Sequence, residues 1–206
     1  MVQHPVYFPE QAARAIASYD YADVEDGTGI TEYMLCVQNN SVAKSYALTT
    51  KSIYSADTKI TQSGTGTSNL DYDVVFNITK TVKGTAYANI PYYIEGTATS
   101  GNMTLSVEII HYDGSTETTI GTAVTSQTIT KPSGAEIGGV FLIKVPITTK
   151  KYFKVGETLR VTIIMTCTAS GGTGLFYYGT DPKGRADIGT APTTTSKILI
   201  PTLLNL

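Results

Sequence analysis

The stretch Tyr152–Arg185, YFKVGETLRVTIIMTCTASGGTGLFYYGTDPKGR, decides how the chain reads. Leu159, Val161, Ile163, Met165 and Cys167 alternate with Arg160, Thr162, Thr166 and Thr168, and only Ile164 breaks the pattern. A period of two over about ten residues marks a long strand with one face buried. The run Ser170-Gly171-Gly172-Thr173-Gly174 then reads as a turn, and Leu175-Phe176-Tyr177-Tyr178 as a returning strand, so the sequence predicts a hairpin. Asp181-Pro182-Lys183-Gly184 closes the unit as a further turn.

The same signals recur on either side. Strands are expected over Thr31–Val37, Ser45–Tyr54 and Tyr72–Val82, with a Gly- and Ser-rich loop at residues 62–68 inside a segment running from Lys59 to Asn69. Tyr87–Ile94 carries Pro91, which predicts an edge strand or a bulge. Met103, Leu105, Val107 and Ile109 form a clean inward set, and Asp113-Gly114 turns the chain back through Glu117–Val124. Gly138–Thr148 is more continuously apolar and reads as a central strand buried on both faces. Lys197–Leu203 is the last strand. Eight to ten strands at this spacing predict an all-β protein, an antiparallel two-sheet sandwich of jelly-roll type.

Residues 1–27 differ, and the expected organisation is an N-terminal arm over 1–27 followed by a β-sandwich domain over 28–206. Pro9–Ala17 is the one good helix candidate, with Pro at a favourable first position and Glu10 at the positive end of the helix dipole. Asp20, Asp23, Glu25 and Asp26 follow as a cluster. Clustered carboxylates suit calcium, but this spacing fits no EF-hand loop, so a solvated acidic loop is expected.

Composition excludes several classes. Charged residues are 16% of the chain and the net charge is −2, which lacks the basic stripe of a nucleic-acid binder. No apolar run reaches membrane-spanning length, and Met1–Pro5 has no secretory character. Two histidines, His4 and His111, cannot supply a metal set with the two strand cysteines, Cys36 and Cys167. Those cysteines read as buried free thiols or as a cross-strand disulfide, and spacing does not decide between them. No nucleophile elbow or phosphate loop appears. Glu108 and Glu157 are the only attractive strand carboxylates, and both are expected to face solvent. The expectation is a protein with no catalytic residues, no cofactor and no metal.

The segment from Phe153, with Gly156-Glu157-Thr158-Leu159-Arg160-Val161-Thr162, a Gly-rich turn, Asp181-Pro182 and Arg185, resembles the C-terminal part of β-sandwich structural proteins of tailed viruses of bacteria and archaea. The resemblance implies a non-enzymatic virion component: a capsid decoration, minor capsid, turret or fibre-type protein made in the host cytoplasm. The alternative is a carbohydrate- or receptor-binding module of a viral fibre or cell-surface appendage, since fourteen tyrosines, with pairs at Tyr92-Tyr93 and Tyr177-Tyr178, suit binding surfaces. The implied partners are other copies of the chain, other virion proteins such as a major capsid protein, and host-surface glycan. Partner contacts are expected at Val6, Tyr7, Phe8 and Ile16 of the arm, at Tyr92 and Tyr93, and at Leu203, Leu204 and Leu206 of an apolar C-terminus. A trimer or ring is the expected assembly.

Overall fold

A computed structural model of the 206-residue chain describes residues 28–39, 43–185, 189 and 193–203. The expected arm helix, the acidic loop at residues 20–26, and the contacts at Val6, Tyr7, Phe8, Ile16, Leu204 and Leu206 lie outside the described residues.

The described residues form twelve strands: β1 (Thr28–Asn39), β2 (Lys44–Thr49), β3 (Lys59–Ser63), β4 (Gly66–Val75), β5 (Lys80–Gly96), β6 (Ser100–Tyr112), β7 (Glu117–Thr125), β8 (Ile129–Lys131), β9 (Ile137–Phe153), β10 (Thr158–Ser170), β11 (Gly174–Gly179) and β12 (Lys197–Leu203). One hydrogen-bonded path, β3-β11-β5-β12-β1-β2-β4-β10-β6-β7, runs through them, with β9 added to β5 and β8 to β6. Every pairing is antiparallel except β2–β4, which share the single parallel pair Ala47↔Asp73. At that weak joint the sheet folds over on itself. One layer is β3, β11, β5, β9, β12, β1 and β2, and the other is β4, β10, β6, β7 and β8. The all-β sandwich expected from the sequence is therefore present.

Alternation fills the space between the layers. Leu159, Val161, Ile163, Met165 and Cys167 of β10 lie inside with Met103, Leu105, Val107 and Ile109 of β6. They meet Ile90 and Ile94 of β5, Phe141, Ile143, Val145 and Ile147 of β9, and Phe176 of β11. Each such side chain contributes roughly 1.5–3 kcal/mol on leaving water. A Cβ at Gly121 of β7 would come within 2.8 Å of Val145 on β9, so the layers approach most tightly where glycine allows it.

Several expectations are corrected. β10 and β11 are not a hairpin: β10 pairs with β4 and β6, whereas β11 pairs with β3 and β5. The glycine run instead arches from one layer to the other. Gly171 and Gly172 take φ values of 66° and 143°, which side chains with a Cβ resist, and a hairpin and an arch draw on the same glycines. Residues 62–68 are not a loop: Gln62 and Ser63 end β3, Gly64-Thr65 make a tight turn, and Gly66, Thr67 and Ser68 already pair with β10 as the start of β4. The expected strand Tyr72–Val82 breaks after Val75, where Phe76 turns inward and bonds to the 156–157 backbone.

β9 is a further correction. It pairs only with β5, and Val140 and Leu142 face outward at 42% and 65% exposure, so its apolar run is not a strand buried on both faces. β5, by contrast, is central despite Pro91. The proline falls between Asn89, the last residue of β5 paired to β12, and Tyr92, the first paired to β11, so no ladder bond on that side requires its N–H.

Candidate functional site

Between the open ends of β2, β3 and β4 lies a cleft of about 390 Å³, where the layers part beside the single β2–β4 pair. Its walls are Lys44, Tyr46, Asp57, Lys59, Ile60 and Leu70. Lys44 Nζ donates to Asp57 Oδ2 at 2.6 Å across the rim, which holds the ammonium charged and raises its pKa. Lys59 Nζ lies 4.8 Å from the Tyr177 ring centroid, a cation–π contact. Tyr46 meets Tyr72 edge-on at 5.4 Å, and the Tyr72 and Tyr178 hydroxyls share a hydrogen bond of 3.0 Å in the core beneath. Burial pushes both phenols well above their ordinary pKa. The cleft offers charge of both signs beside Ile60 and Leu70, which suits binding.

The second constellation is at the far end of β6. His111 continues the inward set of that strand and is 5% exposed. Its Nε2 hydrogen-bonds Glu157 Oε2 at 2.7 Å, and its ring packs edge-on against Phe153. The bond to His111, then the Lys154 N–H, hold Glu157 below its usual pKa. Glu157 therefore turns inward, contrary to the expectation that it faces solvent, while Glu108 stays on the outer face and accepts from Thr119. The two carboxylates do not share a cleft. His111 Nδ1 is buried without a hydrogen-bond partner. A nucleophilic triad needs a hydroxyl or thiol on that second nitrogen, and among the described residues none donates to it.

The third is the turn after β11. Asp181 is fully buried and accepts from the Arg185 side chain and backbone, with Arg185 Nη2 reaching the Ser55 carbonyl at 2.7 Å. Burial raises the Asp181 pKa, but the Arg185 bonds outweigh it and the net shift is downward. Thr194 and Thr195 close the loop onto the Arg185 and Asp181 carbonyls. The Asp-Pro-Lys-Gly-Arg segment is thus a structural clasp.

Of the expected contact residues, Tyr92 and Tyr93 are 7% and 3% exposed. Tyr92 lies inward against Phe141. Tyr93 faces outward, but Gly189 lies against its ring, and it stacks on Tyr177 and bonds Glu136. Leu203 is half-buried on the outer face of β12. Cys36 and Cys167 are free and buried, and burial pushes the Cys167 thiol up to about 12. Among the described residues no three His, Cys, Asp or Glu side chains come together, and no helix is long and apolar enough to cross a membrane.

No protein-family profile matches the chain, and no curated protein does. Solved structures do. A CocE/NonD family hydrolase from Staphylococcus aureus matches over 85% of this chain and 36% of its own length, at 12% identity and a TM-score of 0.50. An α-amino acid ester hydrolase matches over 82% of this chain and 36% of its own, at 7% identity and a TM-score of 0.47. An infectious bursal disease virus structure, Gx strain, matches over 96% and 45%, at 9% identity and a TM-score of 0.32. The chain thus spans about a third of the length of the hydrolases it matches. At these identities the likeness shows the fold.

That finding corrects the functional expectation. The class reached by fold and site is an all-β sandwich that also occurs within larger hydrolases. The reading as a non-enzymatic virion component, with its capsid and bacteriophage associations, is overturned by the hydrolase match. The sandwich signals on which that reading leaned belong to the architecture and are shared by proteins of different function.

Proposed function

We propose that this chain is the β-sandwich part of a hydrolase, a module that packs beside a catalytic unit and shapes or shields its site. The observation that carries the reading is the proportion of the match: 85% of this chain corresponds to 36% of the hydrolase. That is the proportion of one structural unit in a larger enzyme. The geometry agrees with it. The second nitrogen of the buried histidine has no hydrogen-bond partner, hydroxyl or thiol, among the described residues, and the cleft has binding character. In this reading the bond-breaking residues come from outside the described sandwich, on another segment or another chain.

The experiment is immunodepletion from the native source, with chromogenic esters and amides as substrates. The material captured by an antibody to this chain is expected to hydrolyse at least one of them, and the depleted extract to lose that activity. Captured material without turnover, from an extract whose activity is undiminished, would overturn the proposal.

A further inference from the structure

β9 is an edge strand. Its residues 137–147 pair one by one with residues 94–84 of β5, and among the described residues no strand pairs with its other side. Two prolines determine which backbone groups face that free side. Opposite residues of an antiparallel ladder either exchange both N–H···O bonds or exchange none. Pro91 of β5 lies opposite Val140, and Pro146 of β9 lies opposite Thr85. A proline has no N–H to give, so both pairs are of the non-exchanging kind. Positions 140 and 146 share parity, so the two prolines agree. The N–H and C=O groups of Gly138, Val140, Leu142 and Lys144 therefore point away from β5, toward the free side.

Such an edge is a template for a further strand unless something blunts it. At one end something does: Pro146 interrupts the row of donors, and beyond Ile147 residues 148–150 bulge opposite Lys83. The run Gly138-Gly139-Val140-Phe141-Leu142-Ile143 has no such device, carrying neither charge nor proline. The charge that follows it, Lys144, leans back over the Tyr87 ring of β5 at 5.8 Å. Val140 and Leu142 stand on the outer side at 42% and 65% exposure, apolar side chains beside an open backbone edge.

We propose that a second copy of this chain closes the edge, its β9 pairing antiparallel with this β9 about a two-fold axis at Phe141. The strand is its own complement in that register. Val140 meets the partner's Leu142, Gly138 meets the partner's Lys144, and the reverse pairs follow by symmetry. All of these residues face the edge, so each pair exchanges two bonds, about eight in total. The Val140 and Leu142 side chains of both copies form one apolar cluster across the seam. No lysine faces a lysine, and Pro146 falls outside the exchanging pairs. A register centred on Leu142 instead sets Lys144 against Val140 and brings Pro146 opposite Gly138, where a bond is lost. An isologous contact also closes on itself, so it covers on both copies the donors that would otherwise invite open-ended sheet growth.

The test is the solution mass of the full chain, by sedimentation velocity over a concentration series. A dimer is expected. Leu142→Lys places two charges at the seam from an exposed position and is expected to weaken association at least tenfold. Leu142→Pro removes an edge-facing donor and no β5 bond, so it is expected to remain folded by circular dichroism and to be monomeric. Ile30→Lys, at an exposed position on β1, is expected to leave the dimer intact. Mild oxidation of mixed Val140→Cys and Leu142→Cys proteins reads the register, since Cys36 and Cys167 are buried. Opposed positions lie within disulfide reach, whereas like positions of the two copies are about 8 Å apart, beyond it. The mixed disulfide is expected several-fold in excess of either self-linked product. A monomer at every concentration would overturn the proposal, as would a dimer that ignores Leu142→Lys or that Ile30→Lys dissolves equally. Loss of the fold in Leu142→Pro would overturn the assignment of its N–H to the free side. An excess of self-linked Leu142→Cys would overturn the register.

Discussion

Tyr72→Phe and Tyr178→Phe, made singly and together, probe the core beneath the cleft. Both rings are fully buried, and their hydroxyls bond each other at 3.0 Å, which joins β4 of one layer to β11 of the other. Removing one hydroxyl strands its partner in an apolar site. That costs about 1–3 kcal/mol, whereas replacing both partners with apolar groups is close to neutral. The double variant is therefore expected to lie at least about 1 kcal/mol closer to wild type than the sum of the singles, the coupling expected of residues in direct contact. In a chain of this size about 1 kcal/mol corresponds to about 2–4 °C in Tm. Urea unfolding monitored by tyrosine fluorescence measures the cycle, with constant m-values certifying a common unfolded state. Strict additivity, or two neutral single variants, would mean that the hydroxyls do not bond across the layers.

Three further outcomes follow from the site. Glu157 has a depressed pKa in the folded protein, so its stabilising contribution is complete above the unfolded value of about 4.3 and is lost as the pH falls through the folded one. Wild type should thus lose stability on acidification below about pH 4.3 more steeply than Glu157→Gln, and parallel pH–stability curves would refute the pairing with His111. Asp181→Ala should cost about 2–4 kcal/mol in urea melts, because it removes a buried carboxylate that accepts from Arg185; a loss below about 0.5 kcal/mol would refute the clasp. Cys36 and Cys167, both buried with raised pKa values, should resist a disulfide reagent in the native state and react as two thiols in urea, whereas fast native labelling would contradict their burial.

The sequence made the layers legible and left their connections hidden. The inward set Met103-Leu105-Val107-Ile109 was plain from its period, and it extends to His111, so the burial of that histidine could have been read from parity alone. Its partner could not. Glu157 lies in a turn, and only the register Leu159↔His111 brings the two together. The Gly171-Gly172 arch was misread as a hairpin because positive φ serves both, and what separates them is which strands offer free edges, a non-local property. β9 was misplaced for a related reason: its apolar run includes the exposed Val140 and Leu142 on the outer face, and a local pattern does not distinguish exposed apolar residues from a second core. The cleft left no sequence signal, since Lys44, Asp57 and Lys59 become neighbours only where β2 and β4 part.

The central claim, that this sandwich works as one unit of a hydrolase, is tested most directly by native mass spectrometry of the antibody-captured, substrate-turning material. The account predicts this sandwich in fixed ratio with a separate catalytic unit, as a second chain or as part of one longer polypeptide. Full turnover from particles containing the 206-residue chain alone would contradict it.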